Sequence, residues 1–391
     1  MKKFIYIFPY ICSDTAFEFH DCAGQIRSLV SSAIINGCCP VKINVFLKIH
    51  LQEYILKVRQ FEECLRQAGL QDIPVSFIPQ APVFGNVMIE AVIEDKMQEL
   101  KKLEFRKYDN TGYLKLDYED RTEIISSGIF PENPHAEFIF KADYCLRTAG
   151  EILTIEGMSF ADIVRQWNYI GNICECILKD KCINQNYQIF NDIRTKYYDT
   201  ASWVNGYPAS TGIGTGINTC LIDFIAVKPR QDAVVIPLKN PRQADAHKYT
   251  SEVLKGDALK GHDIVTPPKF ERGKIVGSQF GAEVYVSGTA AILGQDSVEC
   301  GDAAAQAKIT AENILELVSR ENIHAHGYNS RGRRREFENI RVYLKNPGDY
   351  DIVKAVCDAN FPGIPSAYVL ADVCRFELLV EIEAYLSIVN K

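Results

Sequence analysis

Hydrophobic positions along the chain follow two alternating periods, and their order repeats. Over the first hundred residues, Phe4–Phe8 (FIYIF) reads as a strand. Cys22, Ile26, Leu29 and Ala33 mark one face of a helix that ends at Asn36-Gly37, and Val41–Ile49 alternates as a strand. Leu51–Gly69 reads as a second helix, with Tyr54, Val58, Phe61 and Leu65 at helical spacing. Pro74–Ile78 and Val87–Ile93 complete the set as strands. The order is β-α-β-α-β-β.

The cycle returns at the other end of the chain. Glu283–Ser287 is a strand, Asp302–Val318 a helix opened by Gly301-Asp302, Ile340–Leu344 a strand and Tyr350–Ala359 a helix. Tyr368–Leu370 and Leu378–Leu386 are the closing strands. A less regular copy lies between. Glu123–Gly128 (EIISSG) parallels Glu283–Gly288 (EVYVSG), and the spacing of Ile163, Trp167, Ile170 and Cys174 predicts a helix over Phe160–Leu178. Asn186–Tyr198 is a second helix and Cys220–Val227 a last strand. This reading leaves Phe130–Met158 as extra loop and a very short strand near Cys182-Ile183. Repetition on this scale predicts an α/β (α+β) layer architecture, with helices on one face of each sheet. The predicted units are residues 1–100, 101–228 and 266–391, with 229–265 as a connector.

One strand breaks the apolar pattern. In VEIEAYL (380–386), Glu381 and Glu383 project to one side and Ile382 to the other. A carboxylate on a core strand is costly unless paired, hydrated or neutralised by a shifted pKa. Two readings stand: an edge strand whose glutamates meet water, or a site. In the first copy Met88 aligns with Glu381 and Glu90 with Glu383; in the middle copy Asp223 is assigned to the place of Glu381.

Composition narrows the class. The chain has 391 residues, 47% hydrophobic and 24% charged, as in a globular protein of several modules. A net charge of -7 gives no general attraction to nucleic acid, so an anionic ligand needs a local cluster of arginines. Thirteen cysteines, none in a C-x-x-C pair, fit reduced thiols and a cytoplasmic location. Lys2-Lys3 before FIYIFPYIC has the outline of a secretory signal, but Pro9 breaks the short apolar run. No apolar run is long enough to span a bilayer.

Each repeat resembles the RidA/YjgF family, whose fold is a sheet backed by two helices and whose members assemble as trimers with clefts between subunits. Three such modules in one chain imply a pseudo-trimer, either monomeric or weakly self-associating. A narrower resemblance rests on RQWNY (165–169), YxxFxxxR (Tyr187–Arg194), PASTGIG (208–214), NPRQ (240–243), PKFER (268–272), SGTA (287–290) and CRxxLLVEIE (374–383). In that order, these look like the chorismatases, which remove pyruvate from chorismate. The resemblance implies a small anionic substrate with neither cofactor nor metal, and no membrane or nucleic-acid partner.

Chorismate carries an enol ether and two carboxylates. Cleaving the ether requires protonating its methylene carbon, and the donor must keep its proton near neutral pH. Glu381 matches the family's catalytic position. Two carboxylates favour planar, bidentate cations, and Arg194, Arg242, Arg272 and Arg375 lie inside matching motifs. Gln243, Tyr249 and Thr289 are candidates for hydrogen bonds to substrate, and Cys374 for lining the pocket; packing or turn roles are the alternatives. Trp167 and Tyr169 are assigned to a helix, with core packing for Trp167.

Three further signals carry little. Gly212–Gly216 leads into no helix, His324 and His326 have no ligand cluster, and Arg331 with Arg333–Arg335 reads as a basic loop. The alternatives to chorismate cleavage are a RidA-type imine or enamine deaminase and a non-catalytic small-molecule or RNA-binding relative. The deaminases use an arginine near the start of the penultimate strand, where counting back places Ile73 and Ser366.

Overall fold

The structure, a computed structural model, describes residues 2–7, 19–95, 99–179, 182–230, 232–255, 257, 265–278 and 281–390. Phe8, Pro9 and the end of the connector through Lys260 lie outside the described residues. In the first module, β1 (Lys2–Ile7), α1 (Phe19–Ile35), β2 (Cys39–Leu47), α2 (Leu51–Gln67), β3 (Val75–Ile78) and β4 (Val87–Glu94) form a sheet in the order β1-β4-β2-β3.

The second module departs from its sequence reading. A hairpin, β5 (Leu100–Tyr108) and β6 (Thr111–Tyr118), leads into β7 (Arg121–Ser126). The stretch expected to be extra loop is a helix, α3 (Phe138–Ile155). The expected helix over 160–178 is instead β8 (Ile163–Gly171), followed by the hairpin β9 (Cys176–Lys179) and β10 (Cys182–Gln185). Trp167 and Tyr169 therefore sit on a strand. Burial explains the confusion: β8 is covered on both faces and its polar residues, Arg165, Gln166 and Asn168, fall on both, so no solvent-facing side reveals a period of two. Then α4 (Asn186–Tyr198), β11 (Ala209–Thr215) and β12 (Cys220–Pro229) close the module, in the order β11-β8-β12-β7-β6-β5.

The third module begins within the connector, at β13 (Val234–Leu238). It continues through β14 (Gly273–Ser278), β15 (Gly281–Ala290), the small hairpin β16 (Ile292–Leu293) and β17 (Asp296–Ser297), α5 (Ala303–Leu317) and α6 (Arg320–Ala325). Next come β18 (Arg333–Leu344), α7 (Tyr350–Asn360), β19 (Ser366–Leu370) and β20 (Val380–Asn390), in the order β13-β14-β15-β20-β18-β19. Of the basic knot only Arg331 lies in a turn; Arg333–Arg335 open β18. Arg333 and Arg335 pair within β18 against β20, and their guanidinium groups donate to the Tyr328 hydroxyl and the Val318 carbonyl.

The pairing register aligns the three modules residue by residue. Phe46, Tyr169 and Tyr343 occupy equivalent positions, paired with Met88, Leu221 and Glu381 on one side and Ile78, Ile213 and Val369 on the other. One step along, Asn44, Trp167 and Arg341 pair with Glu90, Asp223 and Glu383. Asp223 thus matches Glu383, and Leu221 holds the place of Glu381; the sequence alignment of the middle copy was off by two residues. The same register puts Val75, not Ile73, opposite Ser366, with Ser210 in the middle module, so none of the three positions is an arginine.

Each sheet packs its helices on one face. Val380, Ile382, Ala384, Leu386 and Ile388 of β20 lie in the third module's helix-backed core. The opposite faces of the three sheets meet one another. Phe46, Met88, Tyr169, Leu221, Tyr343 and Val369 form one apolar cluster drawn from all three modules. Below it runs a ring of ion pairs. Lys42 binds Asp223, Arg165 binds Glu383 at 2.7 Å, and Arg341 binds Glu90 at 2.6 Å, so each module's cation reaches a neighbouring module's carboxylate. At the far end Lys2, Glu123 and Glu283 are equivalent residues of the three modules, and the lysine lies 2.6 Å and 3.1 Å from the two carboxylates.

The cysteines whose side chains the structure describes are free thiols, and no described helix is long and apolar enough to cross a membrane.

Candidate active site

Glu381 lies on β20 between β15 and β18, not on an edge, and is 4% exposed. That removes the edge-strand reading. Its carboxyl sits directly over Gly288: a Cβ placed there would lie 1.9 Å from Glu381 Oε1. The room comes from a bulge. Val286 pairs with Ala384 but Thr289 pairs with Ile382, so β15 carries one extra residue at Ser287-Gly288. The bulge also changes the facing of the residues beyond it. Ala290 comes opposite Glu381, while Thr289 shares the helix-facing side of Ile382 and donates to the Ser287 carbonyl at 2.9 Å. Thr289 is therefore not in the cleft, contrary to an uninterrupted alternation.

The cleft holding Glu381 lies at the junction of modules two and three and has ≈ 590 Å³ of open space, its mouth included. Module two supplies Tyr187 and Gln188 from the start of α4; module three supplies Arg272, Gly288 and Ala290, with Cys374 and Arg375 from the loop before β20. That loop is fixed at both ends. Gly214 of β11 donates to the Asp372 carbonyl at 2.8 Å, and Leu379 donates to Gln306 of α5 at 2.7 Å.

Glu381 and Glu383 differ sharply in surroundings. Glu383 accepts from Arg341 Nη1 (2.7 Å), Arg165 Nη2 (2.7 Å), Thr211 Oγ1 (2.7 Å), Trp167 Nε1 (2.9 Å) and the Tyr343 hydroxyl (3.1 Å). Although burial raises its pKa, Arg341 and Arg165 pull it below the ordinary value. Among the described residues, Glu381 has no such partners. Burial first, then the charge of Glu383, push its pKa up to about 8, against the opposing pull of Arg165 and Arg272.

Two arginines face this acid without a carboxylate of their own among the described residues. Arg272 donates to the Ala244 carbonyl and, at 2.6 Å, to the Tyr249 hydroxyl. Arg375 donates to the Gln295 carbonyl at 2.8 Å and Ser297 Oγ at 3.1 Å. Their guanidinium carbons lie 5.6 Å and 5.3 Å from the Tyr249 ring centre, so both cations gather around one ring of the cleft. Neutral partners orient both groups and leave their charge uncompensated. An axial chamber also carries charged side chains (Lys2, Lys42, Glu90, Arg165, Arg341 and Glu383), but these pair with each other, with Asp223 or, for Lys2, with Glu123 and Glu283.

The other sequence candidates fall outside the lining. Arg242 pairs with Glu312 at 3.0 Å at the surface. The Gln243 side chain donates to the Ile292 carbonyl at 3.2 Å and accepts from Asn240. Arg194 is buried on α4 beneath Tyr187, between the rings of Phe190 and Tyr198, and donates to Asn191 Oδ1 at 2.7 Å. Cys374 does line the cleft; burial and the neighbouring Glu381 hold its thiol protonated. Tyr187, Phe270 and Gly288 were not singled out from sequence, although all three lie inside quoted motifs.

The equivalent groove between modules one and two lacks this chemistry. Gly128 takes the place of Gly288 and touches Leu221, not a carboxyl. Gly112 takes the place of Arg272, since Ser127 donates to its carbonyl as Ser287 does to that of Arg272.

No family model matches the sequence. A 3-hydroxybenzoate synthase of Streptomyces hygroscopicus is 28% identical over 240 residues, covering 59% of this chain and 64% of the relative. A chorismatase of the same organism is 28% identical over 234 residues, covering 58% of this chain and 61% of the relative. The chain thus matches less than two thirds of the length of each. A crystal structure of a chorismatase superposes with a TM-score of 0.65 at 20% identity, over 89% of this chain and 92% of that one. The chain therefore has the fold of a chorismatase, three RidA-like modules arranged as a pseudo-trimer, and its sequence is similar to those of a 3-hydroxybenzoate synthase and a chorismatase.

Proposed function

We propose that this protein is an enzyme that cleaves the enol ether of chorismate and releases pyruvate. The observation that carries the reading is one buried carboxyl, without a cation paired to it among the described residues, facing two arginines that lack carboxylate partners among the same residues. Arg272 and Arg375, gathered around Tyr249, bind the substrate's two carboxylates. Glu381 gives its proton to the methylene carbon of the enolpyruvyl group, which makes an oxocarbenium ion and leaves Glu381 ionised. Water adding to that ion gives a hemiketal that collapses to pyruvate and a dihydroxycyclohexadienoate. Alternatively, rearrangement within the substrate releases pyruvate and a hydroxybenzoate with no net water consumed. Ala290 and Cys374, both lining the cleft beside Glu381, govern water access and hence this choice.

The test is pyruvate formation from chorismate, followed with coupled lactate dehydrogenase, with the aromatic product identified by chromatography. Glu381→Gln is expected to slow the wild-type rate about 10²–10⁴-fold, the usual worth of a general acid. Arg272→Met is expected to raise KM roughly tenfold to a hundredfold, the loss of a charge-assisted hydrogen bond. No pyruvate from the wild type, or equal rates from wild type and Glu381→Gln, would sink the proposal.

A further inference from the structure

Glu381 and Glu383 stand two residues apart on one strand face, and the chain treats them oppositely. Five donors converge on the oxygens of Glu383, drawn from β8, β11 and β18. Arg341 is shared: Nη1 holds Glu383 at 2.7 Å and Nη2 holds Glu90 of module one at 2.6 Å. Arg165 is held between Glu383 and Thr211, at 2.7 Å from each. Neither cation can follow a substrate into the cleft without breaking the ring that joins the modules. Glu383 is thus a carboxylate whose charge and place the whole assembly fixes.

The groups facing Glu381 are few and can be named element by element. They are Glu383 on its own strand, Arg165 on β8, Arg272 ahead of β14, Cys374 and Arg375 in the preceding loop and Tyr187 on α4, with Tyr249 and Lys255 of the connector also lining the cleft. The Cys374 thiol and Tyr187 phenol are neutral, their pKa values raised by burial. Glu383 is the one anion of the set.

We propose that Glu383 is a positioning residue for the reaction, a clamped negative charge that keeps Glu381 in its acid form until substrate arrives. This rests on Glu381 being the proton donor. Arg165 then acts as the counterweight: it holds Glu383 ionised while its own charge favours ionisation of Glu381. Two carboxyls driven apart by their surroundings divide into an acid and a fixed anion. Without Glu383, the acid would be ionised across more of the neutral range, and the fraction of enzyme able to start the reaction would fall.

The experiment is the pH profile of kcat/KM for pyruvate release from chorismate by the wild type, Glu383→Gln, Glu383→Asp and Arg165→Met. Alongside it, the Glu381 carboxyl is titrated by infrared difference spectroscopy, its band assigned by its absence in Glu381→Gln. The wild-type alkaline limb is expected near pH 8, given the Glu381 pKa of about 8. Glu383→Gln should move the limb and the infrared midpoint down by about one unit or more; Glu383→Asp should leave both near the wild type. Arg165→Met should move them up. Uniformly lower rates with an unmoved limb and midpoint would mean that Glu383 only supports the fold, and would overturn the proposal. If Glu383→Gln is inactive, its infrared midpoint alone decides, and if it folds poorly Glu383→Asn takes its place; a midpoint unmoved or raised in the neutral variant overturns the proposal. Should the wild type release no pyruvate, the chorismate reading fails, and should Glu381→Gln keep full activity, Glu381 is not the proton donor; in either case the infrared midpoints still report whether Glu383 holds the proton on its neighbour.

Discussion

Glu381 is expensive for the folded chain, and its cost depends on pH. Its ordinary pKa of 4.5 rises to about 8 on folding. Between those values the folded chain keeps a proton that the unfolded chain has released, so stability falls as pH rises through this window. The contribution is complete below about pH 4.5 and is lost by about pH 8, where a charge must be buried. Glu381→Gln removes this dependence. Denaturant unfolding at pH 6 and pH 9 is expected to show the variant gaining on the wild type by a few kcal/mol at the higher pH, at about 1.4 kcal/mol for each pH unit crossed below the folded pKa. An equal difference at both pH values would contradict a buried neutral carboxyl. Sequence alone placed Glu381 and Glu383 on one face, because strand alternation needs only their spacing. The resemblance and the recurrence of the outer carboxylate as Glu90 also singled out Glu381 as the acid, but not the cause of the division, which lies in Arg165 and Arg341, brought to β20 by other strands.

At the scale of elements, the bulge in β15 makes the site. An unbroken strand would point Thr289 into the cleft and turn Ala290 toward the helices; one extra residue reverses both. Gly288 is required at the turn of that bulge because the Glu381 carboxyl fills the space a side chain would need. Gly288→Ala is expected to push the flexible end of Glu381 aside, lowering pyruvate release at least about tenfold while stability falls by no more than about 1–3 kcal/mol, the usual cost of overpacking. Thermal unfolding and the chorismate assay on the same preparation separate the two effects. The misassigned helix over 160–178 has the same origin as the misplaced Thr289: periodicity reports facing only where one face is polar and the strand is regular. β8 is buried on both faces and β15 is bulged. By contrast α1, α2, α5 and α7 each carry an apolar stripe, and their extents were legible to within a few residues.

At the scale of the molecule, three inequivalent modules close around a shared axis, and the ion-pair ring makes that closure specific. Each cation is buried with its partner in a neighbouring module, so removing one leaves a charge unpaired in the interior. Arg341→Met is expected to destabilise the chain by about 3–5 kcal/mol, since it removes the guanidinium paired with buried Glu90 and one of the two that hold Glu383. Differential scanning calorimetry is the measurement, and an unchanged transition would show that the ring contributes little to assembly. The same closure decides which groove is chemically competent. The Glu381 cleft pairs a carboxyl over a glycine with an arginine at the strand's start; its counterpart between modules one and two has Leu221 and Gly112 there. Sequence by itself determined the threefold repeat, most of the elements and the strand that carries the acid, because local periodicity and motif order are written in consecutive residues. The tertiary structure decided the alignment of the middle copy, the facing of Thr289, the surface placement of Arg242 and the cause of the unlike fates of two neighbouring glutamates. Each of these depends on pairing register and on charges brought in from distant parts of the chain.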